Sequence, residues 1–470
     1  MDSISRTMAR FALSLRYETL PEPVVQMAKR LLLDSIGCAL AAVKLEDIRA
    51  SYRYVQQLGG KKQASIFWYG DKTNLPNAAL INSLLIRAMD YNDVYWKQDP
   101  CHPSDIIPAA LAPAEYRGAS GKELITAIVI AYELEMRLCL AADPGIREIG
   151  WHHASLTQFV SPFVAGRMLG LSEDQMVSAA GIAGSSHFTL GGVVASHLTN
   201  MKNAADPMAT EAGVNAAMLA AAGYSGPPEV FEGKEGLFEV LSGVKWNRNV
   251  LLNRLDEEFL ITQCGFKAFP TEALTHQPIT ATLEVMRENQ VPSNAVKEVL
   301  VETTKRGVDI LSDESKYHPT TKETADHSLP YCVAVAISKR NVLSSDFEEK
   351  ALKDKSVFEL LPKIKVAANP EIDAVFPNIK RAIVTITTTE GRTFKKQEDF
   401  AKGQPERPLT EQELLAKFHA NAQGALSKRQ REKLVQATLS IDQYNNVRKY
   451  LPLLISEKTQ RPARRLNRSS

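Results

Sequence analysis

The feature that most constrains this chain is a helical hydrophobic periodicity that fills its first half and breaks off near residue 265. Between residues 24 and 42, apolar side chains fall at Val24, Met27, Ala28, Leu31, Leu32, Ile36 and Leu40, the spacing of one apolar helix face. Leu20-Pro-Glu-Pro opens that segment, where proline does little harm because first-turn N–H groups have no partner inside a helix. The pattern recurs over 77–90, 121–142, 156–169 and 172–183. Ser120 and Ser172 stand at the starts of two of these, each followed by acids suited to a helix N-terminus. Alanine fills five of the seven positions 216–222, which permits close helix–helix approach.

Beyond residue 265 the character changes. Residues 296–304 and 382–389 are rich in β-branched side chains, and Glu390-Gly391 predicts a turn into a further strand at 393–396. Helical stretches at 274–286 and 330–338 lie among them. Residues 403–408 read as a linker, after which 410–435 returns to helical spacing. The expected fold is mainly α: a large all-α domain, 1–265, completed by 406–470, with a smaller α+β lid domain inserted at 266–405. The basic, polar residues 461–470 are expected to fray.

Composition excludes several classes. The 56 basic and 54 acidic residues leave a net charge of +2, which argues against nucleic-acid binding through bulk positive charge. Of the five cysteines, Cys38, Cys101, Cys139, Cys264 and Cys332, the nearest two are 38 residues apart, so no zinc or iron–sulfur ligand run exists. The most apolar stretch, 124–132, is nine residues, well short of the ~20 a bilayer requires. Residues 1–10 hold Asp2, Arg6 and Arg10 and do not read as a signal peptide. The expectation is a cytoplasmic protein in a reducing compartment, without membrane or nucleic-acid partners.

Chemistry concentrates in a few places. Asp90-Tyr-Asn-Asp and the following residues to Ser104 pack acids, aromatics and His102 into a proline-punctuated segment. On a helix end Asp90 and Asp93 would share a face and could orient a histidine; a helix C-terminus with a polar loop is the plainer reading. Gly150-Trp-His-His opens the next helix, and a helix N-terminus disfavours a cation, so His152 is expected neutral and proton-accepting unless it is a solvated cap. His187 and His197 flank Thr189-Leu-Gly-Gly, which lacks phosphate-loop spacing. Lys202 and Lys267 sit among few other charges, either snorkelling outward or clamping carboxylates. Residues 319–331 run polar side chains into a helix, where Asp326 or Ser328 is a cap or an anion contact.

Taken in order, these segments resemble the MmgE/PrpD family of 2-methylcitrate dehydratases, cis-aconitate decarboxylases and iminodisuccinate epimerases. The resemblance rests on Leu33-Asp-Ser-Ile-Gly-Cys, Asp90-Tyr-Asn-Asp with His102-Pro-Ser, Gly150-Trp-His, Lys202, Gly265-Phe-Lys with Pro270, and Lys322-Glu-Thr-Ala-Asp-His-Ser-Leu-Pro-Tyr331. It spans nearly the whole chain. It implies a helical domain with an α+β lid, a homodimer, and catalysis without metal or other cofactor on a small tri- or dicarboxylate. It places Asp90, His102, His152, Lys202, Lys267 and Tyr331 in the cleft between bundle and lid, with Asp93 beside them. Lys202 and Lys267 would neutralise carboxylates, and His102 or His152, oriented by Asp90, would remove a proton. The other histidine or Tyr331 would protonate the leaving hydroxyl. Val94 stands where relatives often carry threonine, and the loop before His102 is about two residues longer than in the decarboxylases. Both departures weigh against a decarboxylase and against any narrow substrate. The Lys322–Tyr331 stretch and the Asp-Tyr-Asn-Asp form look most like the dehydratases, so the resemblance implies dehydration of 2-methylcitrate or citrate, with decarboxylation or epimerisation on the same scaffold, or a non-catalytic interaction protein, as the alternatives.

Overall fold

Proline at the first turn and a continuous apolar face produce α1 (Glu22–Ala42). The Asn74 side chain caps α2 (Leu75–Arg87) by accepting from the Asn77 N–H. Reciprocal capping boxes start α3 (Gly121–Ala141), from Ser120 and Glu123, and α5 (Glu173–Gly184), from Ser172 and Gln175. Between them lies α4 (Ala154–Leu169), buried without interruption from Ala154 to Gly166. The alanine-rich α6 (Met201–Ala221) packs against α2, α4 and α5. Gly213 allows that approach, since a Cβ there would stand 2.3 Å from the Ser161 Cβ. These helices share one hydrophobic core. The computed structural model describes residues 2–195 and 198–457; His197 and residues 461–470, singled out above, lie outside them.

A second core begins at Phe269 and collects Trp96 from the first half. It packs α7 (His276–Glu288) and α8 (Leu329–Lys339) against a sheet of β1 (Val296–Thr303), β2 (Ile364–Ala368), β3 (Ala382–Thr388) and β4 (Thr393–Glu398). The strand order is β4-β3-β1-β2, with β1 and β2 parallel and the other neighbours antiparallel. β1 stops at Thr303 because Thr304 caps the helix Lys305–Leu311. Strand β2 was not anticipated: it is short, lies at the sheet edge, and shows too little buried alternation to read as a strand.

The chain then returns to the first core through Leu409, Leu414, Phe418 and Leu434. Residues expected to form one helical run divide into α9 (Glu411–Ala422) and α10 (Lys428–Leu439), because Ser427 and Gln430 form a capping box that starts a new helix after Gly424. α9 lies on α1, where a Cβ at Gly37 would stand 3.2 Å from Phe418 Cδ2. The crossings between the two cores run side by side. Val94 and Gly265 exchange backbone hydrogen bonds of 3.0 Å, and the Phe266 N–H donates to the Gly403 carbonyl at 2.9 Å. Gly403 takes φ +95°, and a Cβ there would meet the Phe266 carbonyl oxygen at 2.0 Å. The segment expected as a linker is therefore fastened directly beneath Lys267. Among the described residues no helix is long and apolar enough to cross a membrane. All five cysteines are buried and unbridged.

Phe418 fills the seam that joins the two chain ends, so Phe418→Ala is expected to lower stability by about 3–5 kcal/mol, read as a fall in the urea midpoint without a change of slope.

Candidate active site

The site begins where α2 stops. The helix ends at Arg87 rather than continuing through Asp90, and Asp90 takes a left-handed φ of 48°. That turn breaks the expected common face of Asp90 and Asp93. The Asp93 carboxylate goes instead to Ser104, accepting from its Oγ at 2.5 Å and its N–H at 3.3 Å. Burial, opposed by that hydrogen bonding, pushes Asp93 up to about 6.

The Asp90 carboxylate gathers three cations. Its Oδ1 accepts from Arg87 Nη1 and lies 3.3 Å from Lys202 Nζ and 3.0 Å from Lys267 Nζ. Lys267 also donates to the Asp90 and Thr271 carbonyls, at 3.1 and 3.0 Å. Both lysines are 2% exposed, so neither snorkels into solvent. Burial raises the Asp90 pKa, but Lys202, Lys267 and Arg87 outweigh it and hold the carboxyl well below its ordinary value. Burial likewise pulls Lys202 down to about 8, against the opposing pull of Asp90. Arg87 reaches further, its Nε 3.5 Å from Asp105 and 3.7 Å from Asp206.

Imidazoles face these cations. His102 follows the short hairpin whose two-residue strands are Tyr95–Trp96 and Pro100–Cys101, and its Nδ1 lies 2.6 Å from the Asp93 carbonyl oxygen. A carbonyl only accepts, so Nδ1 carries the proton and Nε2 keeps a free lone pair. His152 is the opposite tautomer: its Nδ1 accepts the Ala154 N–H at 3.2 Å, which leaves the proton of a neutral ring on Nε2. Burial first, then neighbouring cations, keeps both rings well below the ordinary 6.5. His153 stacks on His152 with ring centres 3.9 Å apart and stands 5.4 Å from His102.

Beyond the crossings, Lys322 Nζ donates to Asp326 Oδ2 at 2.7 Å and to the Ala88 carbonyl at 2.9 Å. His327 Nδ1 lies 2.6 Å from the other Asp326 oxygen, and burial takes that imidazole down to about 4. Ser328 caps α8 rather than facing the cleft.

One cleft thus joins Asp90, His102, His152, Lys202 and Lys267, with His153, Arg147, Glu272 and His327 also on its walls. Two expected members are placed differently. The Asp93 side chain stands behind His102, which it supports through its carbonyl. Tyr331 lies outside the cleft: its hydroxyl donates to the Asp346 carbonyl at 2.8 Å and its ring packs near Phe347 and Phe358. Two residues past Leu329, the rotation of α8 carries Tyr331 into the second core. Asp90 does not orient a histidine either, since its carboxylate is occupied by cations.

Arg87, three positions before Asp90, and Asp206, four after Lys202, follow helix-face spacing that could have revealed them. Nothing local singles out Arg147 or Glu272. His152, His153 and Asp206 bring three donor atoms within 4.8 Å of one another, a spacing suited to a small cation. Arg87 already brings positive charge to that carboxylate, and Lys202 lines the same cleft, which makes a dication unfavourable there.

Known proteins bear on this geometry. Residues 6–249 match the MmgE/PrpD N-terminal domain and residues 269–441 the MmgE/PrpD C-terminal domain. The chain is 26% identical to the cis-aconitate decarboxylase of Homo sapiens over 94% of its own length and 92% of that protein's. It is 24% identical to the 2-methylcitrate dehydratase of Salmonella typhi over 94% and 95% of the two chains. A cis-aconitate decarboxylase of Aspergillus terreus is 23% identical over 96% of each.

Asp90→Asn leaves Lys202, Lys267 and Arg87 buried against one another without their shared anion. The expected cost is about 3–5 kcal/mol of stability by urea denaturation, with the Lys202 pKa falling further below its value near 8.

Proposed function

The chain belongs to the MmgE/PrpD family, and we propose that it is a cofactor-independent lyase that dehydrates a citrate-type tricarboxylate, 2-methylcitrate or citrate, to the corresponding cis-aconitate. The observation that carries this reading is one cleft in which two buried ammoniums, Lys202 and Lys267, face an imidazole, His102, whose Nε2 lone pair is free. Removing a proton next to a carboxylate drives negative charge onto that carboxylate. Fixed cations in a dry cleft stabilise the charge as it develops. His102 is the base in this account. The Asp93 carbonyl fixes its tautomer, and burial with Arg87 and Lys267 keeps the ring neutral and ready to accept.

Asp90 holds Lys202 and Lys267 together on one carboxylate oxygen and in reach of the substrate. The proton for the departing hydroxyl comes from the adjoining His152–His153 wall, because Tyr331 is committed to the Asp346 carbonyl. In the same reading, residues 1–265 with 406–470 form the helical body and 266–405 the inserted lid, a division supported by the two separate cores and their paired crossings. A cytoplasmic homodimer completes it. Named 2-methylcitrate dehydratases among the relatives support the substrate class. The human and fungal decarboxylases define the competing outcome.

The test is an NMR product assay of the purified protein with 2-methylcitrate, citrate, cis-aconitate and iminodisuccinate. Loss of water from 2-methylcitrate or citrate is expected. Turnover confined to itaconate formation, or to epimerisation of iminodisuccinate, would reassign the reaction.

Two further outcomes follow from the charges. His102→Gln is expected to lower kcat by about 10²–10⁴-fold. Above pH 8 Lys202 loses its proton, so a carboxylate substrate loses a partner and KM should climb as pH passes through that value. On the acid side both His102 and His152 remain neutral through pH 6.5, so kcat/KM should not fall with an ordinary histidine titration there. A steady-state pH profile from 5.5 to 9.5 reads both limbs.

A further inference from the structure

Elimination of a hydroxyl needs an acid as well as a base, and the two imidazoles considered so far are poor acids. His102 must begin unprotonated to serve as base. His152 accepts the Ala154 N–H through Nδ1, so giving up its remaining Nε2 proton would leave an imidazolate. His153 differs from both. It lines the same cleft and is 3% exposed, and neither of its ring nitrogens has a hydrogen-bond partner among the described residues. Its Nε2 lies 3.4 Å from Asp206 Oδ2, an ion-pair distance. We propose that His153 enters the reaction as the imidazolium and is its general acid, and that Asp206 is the positioning residue that holds it charged and aimed at the substrate.

The assignment deepens the lyase reading and rests on it. His102 Nε2 takes the α-proton, and the C–H pair becomes the new carbon–carbon double bond. The C–O pair leaves with oxygen, which collects the Nδ1 proton of His153 and departs as water, while the Nε2 proton of His153 stays with Asp206. The enzyme ends with His102 protonated and His153 neutral, so its proton count is unchanged. Returning one proton across the 5.4 Å between those rings restores the starting state.

The surroundings explain why this ring and not its neighbour carries the charge. His153 is the N-cap of α4, where the helix dipole opposes a cation. Asp206 answers that opposition, and Asp99 adds a second carboxylate nearby. Arg87, beside Asp206, and Arg147, on the same cleft, oppose its charge, whereas His102 and His152 are neutral and do not. Behind Asp206, Thr157 Oγ1 lies 3.3 Å from Asp206 Oδ1 and 2.6 Å from Glu135 Oε1. Thr157 donates to Glu135 at the shorter of these distances, and a neutral Glu135 adds no second negative charge beside Asp206. Burial pushes Glu135 well up, which supports the neutral form.

The experiment compares wild type, His153→Gln and Asp206→Asn on 2-methylcitrate and on the analogue with fluorine in place of the hydroxyl. Fluoride leaves without a proton, so the analogue still needs the base and the lysines but not the acid. His153→Gln is expected to lose about 10²–10⁴-fold in kcat on 2-methylcitrate and less than tenfold on the fluoro analogue. Asp206→Asn should lower kcat on 2-methylcitrate by at least about tenfold more than on the fluoro analogue while leaving KM within about threefold, a split that simple loosening of the fold would not produce. Equal losses on both substrates, or no loss on either, would overturn the role of His153 while the lyase reading stands. Wild type inert toward both compounds would overturn the two together.

Discussion

Three buried cations converge on one carboxylate, and the cleft exists in usable form because of it. Arg87 arrives from the end of α2, Lys202 from the first turn of α6, and Lys267 from the crossing between the two cores. Without the Asp90 anion these elements would repel one another in surroundings that screen charge poorly. With it, each lysine is anchored on one side and presents positive charge to the cleft on the other. The left-handed turn at Asp90 and the glycine at 403 are the backbone features that let the three arrive together.

The same charges set the protonation of the histidines. Burial begins the depression of His102, and Arg87 and Lys267 extend it. The groups proposed to bind the substrate therefore also keep the proposed base in its accepting form. His327 is held down by burial and Lys202 despite its contact with Asp326. Among these rings His153 alone has a carboxylate as an ion-pair neighbour without a hydrogen bond already committed to either nitrogen. Chemical division among similar side chains thus follows from small differences in backbone and carboxylate contacts rather than from residue type.

Much of this was legible in the chain. The periodicity of residues 24–42 and 121–142 reports helices because each must bury a stripe, and Ser120 and Ser172 cap as their sequence contexts imply. Lys202 and Lys267 stand out in the sequence for the few charges around them, and Asp90 and His102 for the acid- and aromatic-rich segment they share; with His152 they belong to the set that the family resemblance implies, and all five share one cleft. Tyr331 was misplaced because a motif preserves order along the chain but not rotation about a helix axis. Asp90 and Asp93 diverged because a single left-handed residue cannot be read from i,i+3 spacing. Nothing in Gly150-Trp-His-His sets His153 apart from its neighbour. Its distinguishing partner, Asp206, lies 53 positions away and becomes adjacent only when α6 packs on α4.

The most direct measurement of the central claim is calorimetric titration at pH 7 of propane-1,2,3-tricarboxylate, which has no hydroxyl to lose, into wild type and Lys267→Met. Saturable one-site binding to wild type is expected, weakened about tenfold or more when the ammonium is removed. Equal affinity in both proteins, or no heat of binding to wild type, would contradict a cleft built by Asp90 to hold a multiply charged acid.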